Sequence, residues 1–332
     1  MSPSRGTAAL NKKTAGLCLA IILWAVFAAN FWRFSPRDPD CVEAVSIYTE
    51  LLKNTTIIGL DYSSLTTTLG SLSAKKSSEN PIAAALMVRL LKDSGATSNS
   101  VVAINASGSF PGFVLSSLSA CSAMGIKTYI IASIGASTYG ANNPGNTIAD
   151  ILLEDDVIKL DYVLLAVTPG GSSDRGLELD AEELERVSDM LEKQGLLFIR
   201  PANLADAIAL RESLFTNAGC TLLINIGGNH ASSGADIDYA LMSGVLKPNK
   251  KKTYEDAGLI QYFLKTGKPV IQILNLKKLY TAYGLEFDQN GKLLTDSEKV
   301  YRWKRLSAPI LLLPVLVFLL AIFWYFRKVR YD

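Results

Sequence analysis

Histidine and cysteine are scarce in this sequence, which contains one histidine and four cysteines in 332 residues. No two cysteines form a Cys-x-x-Cys pair, and a single histidine cannot form a His-x-x-x-His pair. A structural zinc site needs about four such ligands at characteristic spacings. The sequence therefore excludes structural zinc, and we expect neither a metal nor another cofactor.

An excess of charge of one sign is also absent. The chain has 33 basic and 31 acidic residues, for a formal net charge of +2. A general nucleic-acid-binding protein would show a strongly basic surface, so we expect no nucleic-acid partner. The sequence also lacks a Gly-x-x-x-x-Gly-Lys-Ser/Thr motif and a strand-linked Gly-x-Gly-x-x-Gly motif, so a nucleotide site is not indicated.

Two long stretches lack charge and account for a mean hydropathy of +0.22. Residues 15–32 and 306–326 are apolar and long enough to cross a bilayer as helices, although a cleaved signal peptide is an alternative for the first. Basic residues beside both stretches predict cytoplasmic tails at 1–14 and 327–332. The intervening region, 33–305, is then expected to form one α/β domain outside the cytoplasm.

That region holds three cysteines, Cys41, Cys121 and Cys220. An odd number allows one disulfide at most and leaves one free thiol. The sequence does not determine which two would pair.

Short apolar runs alternate with amphipathic segments across this region. The runs are rich in β-branched residues or leucine and end in turn-forming residues, as strands buried on both faces do. We predict strands at 56–60, 101–105, 128–133, 162–167, 196–199, 221–226 and 270–274. We predict helices at 81–92, 113–124, 181–194 and 204–215. This alternation favours a three-layer α/β fold with a mostly parallel sheet.

Four of the predicted strands run into turns rich in glycine, serine and asparagine. The carboxyl ends of parallel strands share one edge of a sheet, so these turns should converge on a single crevice. Hydroxyls and glycine-exposed backbone N–H groups would suit a carboxylate or a phosphate there. The predicted ligand-binding residues are Ser107, Gly108, Ser109, Ser137, Asn143, Gly170, Gly171, Asp174, Arg175, Gly227, Gly228, His230 and Ser232.

Catalysis in the same crevice is an alternative hypothesis. Ser107 or Ser109 could act as a nucleophile, with His230 as its base and Asp174 orienting that base, in acyl transfer. However, the sequence around these serines lacks the Gly-x-Ser-x-Gly motif of α/β-hydrolases.

Five segments, in order, resemble blocks of the bacterial poly-gamma-glutamate system protein family. The first block comprises 66–75 (TTTLGSLSAK) with 80–91, and the others fall at 107–112 (SGSFPG), 135–142 (GASTYGAN), 170–176 and 227–232. Asn229 and His230 stand where the family has a further small residue, which argues against a histidine shared by the family for catalysis.

The resemblance implies an accessory protein of the cytoplasmic-membrane machinery that makes and exports poly-gamma-glutamate. Its partners would be the polymer or glutamate, the synthase and membrane subunits, and the lipid bilayer. A serine-dependent hydrolase or transferase acting on γ-glutamyl chains is one alternative. A structural scaffold subunit of a membrane complex is another.

Overall fold

The computed structural model describes residues 19–28, 30–31, 35–234, 237–249, 251, 253–254, 258–295 and 297–302, with a few positions between 314 and 323. The chain divides into two units, one of residues 1–37 and 302–332 and one of residues 38–301. The second unit is an α/β domain. The predicted tails, 1–14 and 327–332, lie outside the described residues.

The elements of residues 38–301 alternate between helices and strands. The helices are α1 (Pro39–Asn54), α2 (Leu72–Ser77), α3 (Ile82–Ser94), α4 (Pro111–Ala123), α5 (Ile148–Leu152), α6 (Ala181–Lys193), α7 (Leu204–Asn217), α8 (His230–Ser233), α9 (Ile237–Leu241), α10 (Leu259–Lys265), α11 (Leu276–Ala282) and α12 (Glu298–Tyr301). The strands are β1 (Thr66–Thr68), β2 (Val101–Ser107), β3 (Lys127–Ser133), β4 (Ala136–Ser137), β5 (Asn142–Asn143), β6 (Asn146–Thr147), β7 (Tyr162–Thr168), β8 (Leu222–Ile226), β9 (Gly244–Leu246) and β10 (Val270–Ile273).

A six-stranded sheet with the order β7-β3-β2-β8-β10-β9 forms the centre of the domain. β2 is almost entirely buried and pairs in parallel with β3 on one side and β8 on the other. β9 at the edge runs antiparallel to β10. Two small sheets lie apart from it, a parallel pair of β1 with β4 and an antiparallel pair of β5 with β6.

The prediction of a mostly parallel sheet flanked by two transmembrane helices is wrong. The sheet is mixed, because the three-residue edge strand β9 runs antiparallel to β10, which follows it in the chain. Among the described residues, no helix combines the length and the apolar character that crossing a membrane requires.

The prediction of membrane anchors, and with it the assignment to the cytoplasmic membrane, is corrected by this finding. Within the first predicted span, the structure describes a helix over 19–28. The described residues of this helix rise about 15 Å, against the roughly 30 Å thickness of the hydrocarbon layer. Most of the second predicted span, 306–326, lies outside the described residues.

The four predicted helices are present, at 82–94, 111–123, 181–193 and 204–217. Asp180 and Glu183 have the spacing of a capping box at the start of α6. Asp180 caps the helix by accepting a hydrogen bond from the backbone N–H of Glu183 at 2.8 Å. The Glu183 carboxylate instead accepts hydrogen bonds from Gly145 and Arg186, because those partners lie within its reach after folding.

Two predicted strands are not regular strands. Residues 56–60 lack strand structure, although the backbone N–H of Gly59 donates to the carbonyl of Tyr139. In 196–199 only Phe198 forms an isolated bridge, with Val167 of β7. Residues 197–199 nevertheless lie along the β7 edge of the sheet, because the N–H of Val167 donates to the carbonyl of Leu197 and the N–H of Ile199 donates to the carbonyl of Val167, both at 2.8 Å.

The three cysteines of the domain, Cys41, Cys121 and Cys220, are buried and free. The pKa of each thiol is raised to about 12, mainly by burial. These thiols are therefore inert hydrophobic side chains rather than a disulfide pair or nucleophiles.

Candidate functional site

A cavity of about 540 Å³ lies at the carboxyl edge of the central sheet. Its walls come from the turns after β2, β3, β7, β8 and β10, together with the segment around β1. The lining residues are Thr67, Thr68, Leu69, Gly70, Ser71, Ser73, Ala74, Ser107, Ser109, Phe110, Ser133, Gly135, Ser137, Gly170, Gly171, Ser172, Glu178, Gly228, Asn229, His230, Leu274, Asn275, Leu276, Lys277 and Phe287.

The cavity lies where the strand order of the sheet changes direction. The chain proceeds from β2 to β3 and β7 on one side, then returns to β8 on the other side of β2. The turns after β2 and β8 diverge there, which opens the crevice in which α/β sheets commonly bind ligands. The two turns also touch at their base, since a Cβ on Gly227 would lie only 2.8 Å from the Cβ of Ser107.

Backbone hydrogen bonds join the turns to each other. The N–H of Gly135 donates to the carbonyl of Pro169 at 2.8 Å. The N–H of Ala141 donates to the carbonyl of Gly108 at 2.7 Å. The loops are therefore held as one unit rather than as independent connections.

Three serines of the cavity wall are linked by hydrogen bonds. The hydroxyl of Ser107 donates to the Oγ of Ser109 at 3.0 Å. The same Oγ accepts the backbone N–H of Ser137, also at 3.0 Å. These contacts fix the side chains of Ser107 and Ser109 against the turn that carries Ser137.

A buried lysine lies behind this wall. Lys75 of α2 has 1% of its surface exposed, and its Nζ donates to the Oγ of Ser137 at 2.8 Å and to the carbonyl of Ser109. Nζ also lies 3.5 Å from the centroid of the Phe110 ring. Burial lowers the pKa of Lys75 from 10.5 to about 7.

A buried ion pair supports the floor of the cavity. The guanidinium of Arg211, in α7, donates to the carboxylate of Asp174 at 2.8 Å, and both side chains are at most 1% exposed. Arg211 also donates to Asn105 at 2.9 Å and to Ser133 at 3.1 Å. The pair thereby ties the turn after β7 to strands β2 and β3.

Backbone strain is concentrated in the same loops. The non-glycine residues with positive φ in the described chain are Tyr139, Ser173 and Asp174, at +62°, +56° and +63°. Such conformations persist where surrounding contacts enforce them, and they cluster at functional sites. The ion pair to Arg211 is one contact that holds Asp174 in this conformation.

The structure does not assemble the predicted catalytic set of Ser107 or Ser109, His230 and Asp174. The carboxylate of Asp174 is taken by Arg211 and by the hydroxyl of Thr168, which donates at 2.9 Å. The Nδ1 of His230 accepts the backbone N–H of Ser173 at 3.4 Å. In the described part of the chain, no hydrogen bond joins His230 to Asp174 or to either serine.

Of the predicted ligand-binding residues, about half line the cavity. Those that do are Ser107, Ser109, Ser137, Gly170, Gly171, Gly228 and His230, and those that do not are Gly108, Asn143, Asp174, Arg175, Gly227 and Ser232. Several of the second group support the site from behind. The hydroxyl of Ser232, for example, donates to the side chain of Asn225 at 2.7 Å.

The cavity also contains an acidic and a basic side chain that the sequence did not single out. Glu178 accepts the backbone N–H of Ser172 at 2.6 Å. Burial opposes its ionisation, but the hydrogen bonds from Ser172 prevail and lower the pKa of Glu178 below its ordinary value. Lys277, at the start of α11, is exposed and lines the opening.

No cluster of three or more metal-ligating side chains occurs among the residues that the structure describes. The residues that sequence reasoning missed are Lys75, Glu178, Arg211 and Lys277. An interior lysine or arginine resembles a surface one in sequence, because its burial depends on elements far away in the chain.

No protein-family model and no curated protein matches this chain. Weak similarity is found to solved structures of diaminopropionate ammonia lyase from Escherichia coli, in holo and apo forms, and of a fungal L-serine ammonia-lyase from Rhizomucor miehei. The identities are 11%, 9% and 12% and the TM-scores 0.18, 0.18 and 0.13. The matches cover 72%, 80% and 67% of this chain and 61%, 81% and 74% of those chains. TM-scores this low carry no inference about function.

Proposed function

We propose that this protein binds a small carboxylate-bearing molecule in the cavity, with glutamate or the end of a γ-glutamyl chain as the preferred ligand. The observation that carries the proposal is a 540 Å³ cavity walled by serines and glycines and bounded by the carboxylate of Glu178 and the amine of Lys277. That volume falls within the range of small-molecule sites.

The charges favour a ligand that carries both signs. The lowered pKa of Glu178 keeps it ionised at neutral pH, so it would attract an ammonium group. Lys277 would attract a carboxylate, and the hydroxyls of Ser107 and Ser109 supply hydrogen bonds between the two. An amino acid, or a chain of amino acids joined through side-chain carboxyls, has this arrangement of charges.

The role as an accessory of poly-gamma-glutamate synthesis or export is part of the proposal. It is supported by the five segments that resemble that family, since all five contribute residues to the cavity lining.

Calorimetric titration with L-glutamate and with a γ-linked glutamate trimer tests the proposal. We expect Lys277→Gln to weaken binding by about tenfold to a hundredfold, because a hydrogen bond to a charged group contributes about 1.5–3 kcal/mol. Lys278→Gln is the matched control, because Lys278 is the exposed neighbour in α11 that does not line the cavity. Undetectable binding of both ligands, or equal losses in the two variants, would contradict the proposal.

Glu178→Gln tests the acidic side chain of the cavity lining. Loss of the negative charge of Glu178 should weaken binding of L-glutamate more than binding of glutarate, which has the same two carboxylates but no ammonium group. Glu182→Gln, an exposed change in α6 outside the cavity, is the control. If glutarate and glutamate lose affinity equally, Glu178 does not recognise the ammonium group.

A further inference from the structure

Lys75 is held inside the domain, and no carboxylate in the described part of the chain forms an ion pair with it. Its Nζ contacts the Oγ of Ser137, the carbonyl of Ser109 and the ring of Phe110. Burying an amine is costly in its charged form, and structural buried lysines are normally paired with an acid. A buried lysine that contacts only neutral groups should therefore have a populated neutral form.

The position of Lys75 relative to the cavity decides which chemistry is open to it. Ser109, Phe110 and Ser137 line the cavity, whereas Lys75 does not. The amine is covered from the cavity by the residues that it contacts. A ligand would meet the hydroxyl of Ser137 first, with the amine directly behind it.

Ser137 is itself held in a fixed orientation. Its backbone N–H donates to the Oγ of Ser109, and β4, which contains it, pairs with β1. A nucleophile within about 2.6–3.2 Å of a base, with the base oriented by a third group, is the arrangement that activates serine hydroxyls. Here Ser137 and Lys75 are 2.8 Å apart, and the carbonyl of Ser109 orients the amine.

We propose that Ser137 and Lys75 form a nucleophile and general base that cleave an acyl bond of a ligand bound in the cavity. The substrate class is an amide or ester whose acyl part carries a carboxylate, such as a γ-glutamyl amide. The substrate class rests on the proposed function, whereas the pairing of the two residues does not.

The reaction balances with water as the second substrate. Ser137 Oγ forms a bond to the carbonyl carbon while its proton passes to Lys75 Nζ. The bond from that carbon to the leaving nitrogen or oxygen then breaks, and Lys75 returns the proton to the leaving group. Water attacks the acyl-serine, gives its proton to Lys75, and the acid departs as Ser137 regains a proton.

Two tyrosines beside the end of α2 do not compete with Lys75 for protons near neutral pH. Burial raises the pKa of Tyr48 and of Tyr280, whose hydroxyls donate to carbonyls at the end of α2, so both stay protonated. The charged side chains nearest along the chain are Lys76 and Glu79. Since burial lowers the pKa of Lys75 to about 7, the neutral base should be populated above that pH.

A serine-reactive fluorophosphonate, followed by peptide mass spectrometry, tests the proposal on the full-length protein. We expect modification at Ser137, with a rate that rises with pH and levels off above about pH 7. Lys75→Met should slow the modification by at least about a hundredfold and remove this pH dependence. Lys76→Met is the matched control and should leave the rate unchanged.

The outcomes separate this inference from the proposed function. Absence of modification, modification at Ser107 or Ser109 instead, or an unchanged rate in Lys75→Met would overturn the pairing. An aldehyde that carries a carboxylate, succinic semialdehyde, would form an imine with an accessible amine, and borohydride would reduce the imine to a stable adduct. Such an adduct on Lys75 would also overturn the pairing, by showing that the amine itself reaches the cavity. If Ser137 is modified but a γ-linked glutamate trimer gives no protection, the pairing stands and the proposed ligand fails. If the trimer binds but the fluorophosphonate does not modify Ser137, the pairing is overturned and the proposed function remains.

These comparisons need a variant of Ser137 that still folds. Ser137→Ala should lose the modification while keeping the thermal midpoint within a few degrees, since it removes one hydroxyl. If Ser137→Ala does not fold, Ser137→Cys retains a nucleophile and should react with iodoacetamide faster than the buried free cysteines do.

Discussion

At the scale of single residues, two buried cations behave differently because of their partners. Arg211 is fully buried and compensated by Asp174, whereas Lys75 is equally buried and pairs with no acid among the described residues. The first belongs to the scaffold of the domain. The second should change its charge near neutral pH.

Stability should depend on pH through Lys75. Its pKa is about 7 in the folded protein and about 10.5 in an unfolded chain, so between these values the unfolded chain binds a proton that the folded chain does not. Stability contributed by this site therefore rises with pH from about 7 upwards. Relative to Lys75→Met, the free energy of unfolding should increase by up to about 1.4 kcal/mol per pH unit. Urea denaturation of both proteins between pH 7 and 9 measures the difference, and parallel curves would contradict the shift.

Arg211 should be needed for folding. Arg211→Leu leaves the carboxylate of Asp174 buried without its cation, which should cost about 3–5 kcal/mol in the free energy of unfolding. The double variant with Asp174→Asn removes that charge as well and should recover part of the loss. Chemical denaturation checks both, and a double variant no more stable than Arg211→Leu would show that the ion pair is not the cause.

At the scale of elements, the turns after the strands depend on glycine only at particular positions. Gly170 and Gly171 follow β7 and have φ values of +79° and +71°. A Cβ on Gly170 would lie 2.8 Å from the backbone nitrogen of Gly135, whereas one on Gly171 would meet the carboxylate of Glu178. Backbone cannot move aside as a side chain can.

The two glycines should therefore differ in their tolerance of alanine. Both variants incur backbone strain of about 1–2 kcal/mol, but Gly170→Ala should lose more stability than Gly171→Ala. Gly95→Ala isolates the strain, because Gly95 has a φ of +91° with no atom within 4 Å of a Cβ. Thermal denaturation of the three variants gives the order. Equal losses at all three positions would show that contacts of the added methyl are irrelevant.

At the scale of the whole molecule, the cavity is a product of the strand order. It needs β2 and β8 side by side and the segment around β1 folded across the turns. A ligand that binds there would be enclosed by turns that follow five of the six strands, so it should stabilise the whole domain.

A bound ligand should accordingly raise the melting temperature. At a hundred times its Kd, a ligand adds about 2.7 kcal/mol to the free energy of unfolding, or a few degrees for a domain of this size. Differential scanning calorimetry with the γ-linked glutamate trimer measures the shift. No shift at saturation would show that the trimer does not bind the folded domain selectively.

The sequence by itself determined the local features of this protein. The β-branched runs of β2, β3, β7 and β8 and the periodicity of α6 are properties of adjacent residues, so they predicted elements close to the observed ones. The convergence of the turns followed from parallel strands. The apolar stretches, however, predicted membrane helices from hydropathy alone, and no helix among the described residues combines the length and apolar character that a span requires.

Only the tertiary structure decided the pairings that give the site its chemistry. Ser137 and Lys75 are 62 residues apart in sequence, and Arg211 and Asp174 are 37 apart. The short antiparallel strand β9 also depends on β10, which follows it by more than twenty residues. Each of these contacts joins segments that are distant in sequence and meet only in the folded domain, where burial affects the ionisation of the groups involved. No local pattern carries that information, because the free energy of an ionisable group depends on its three-dimensional surroundings.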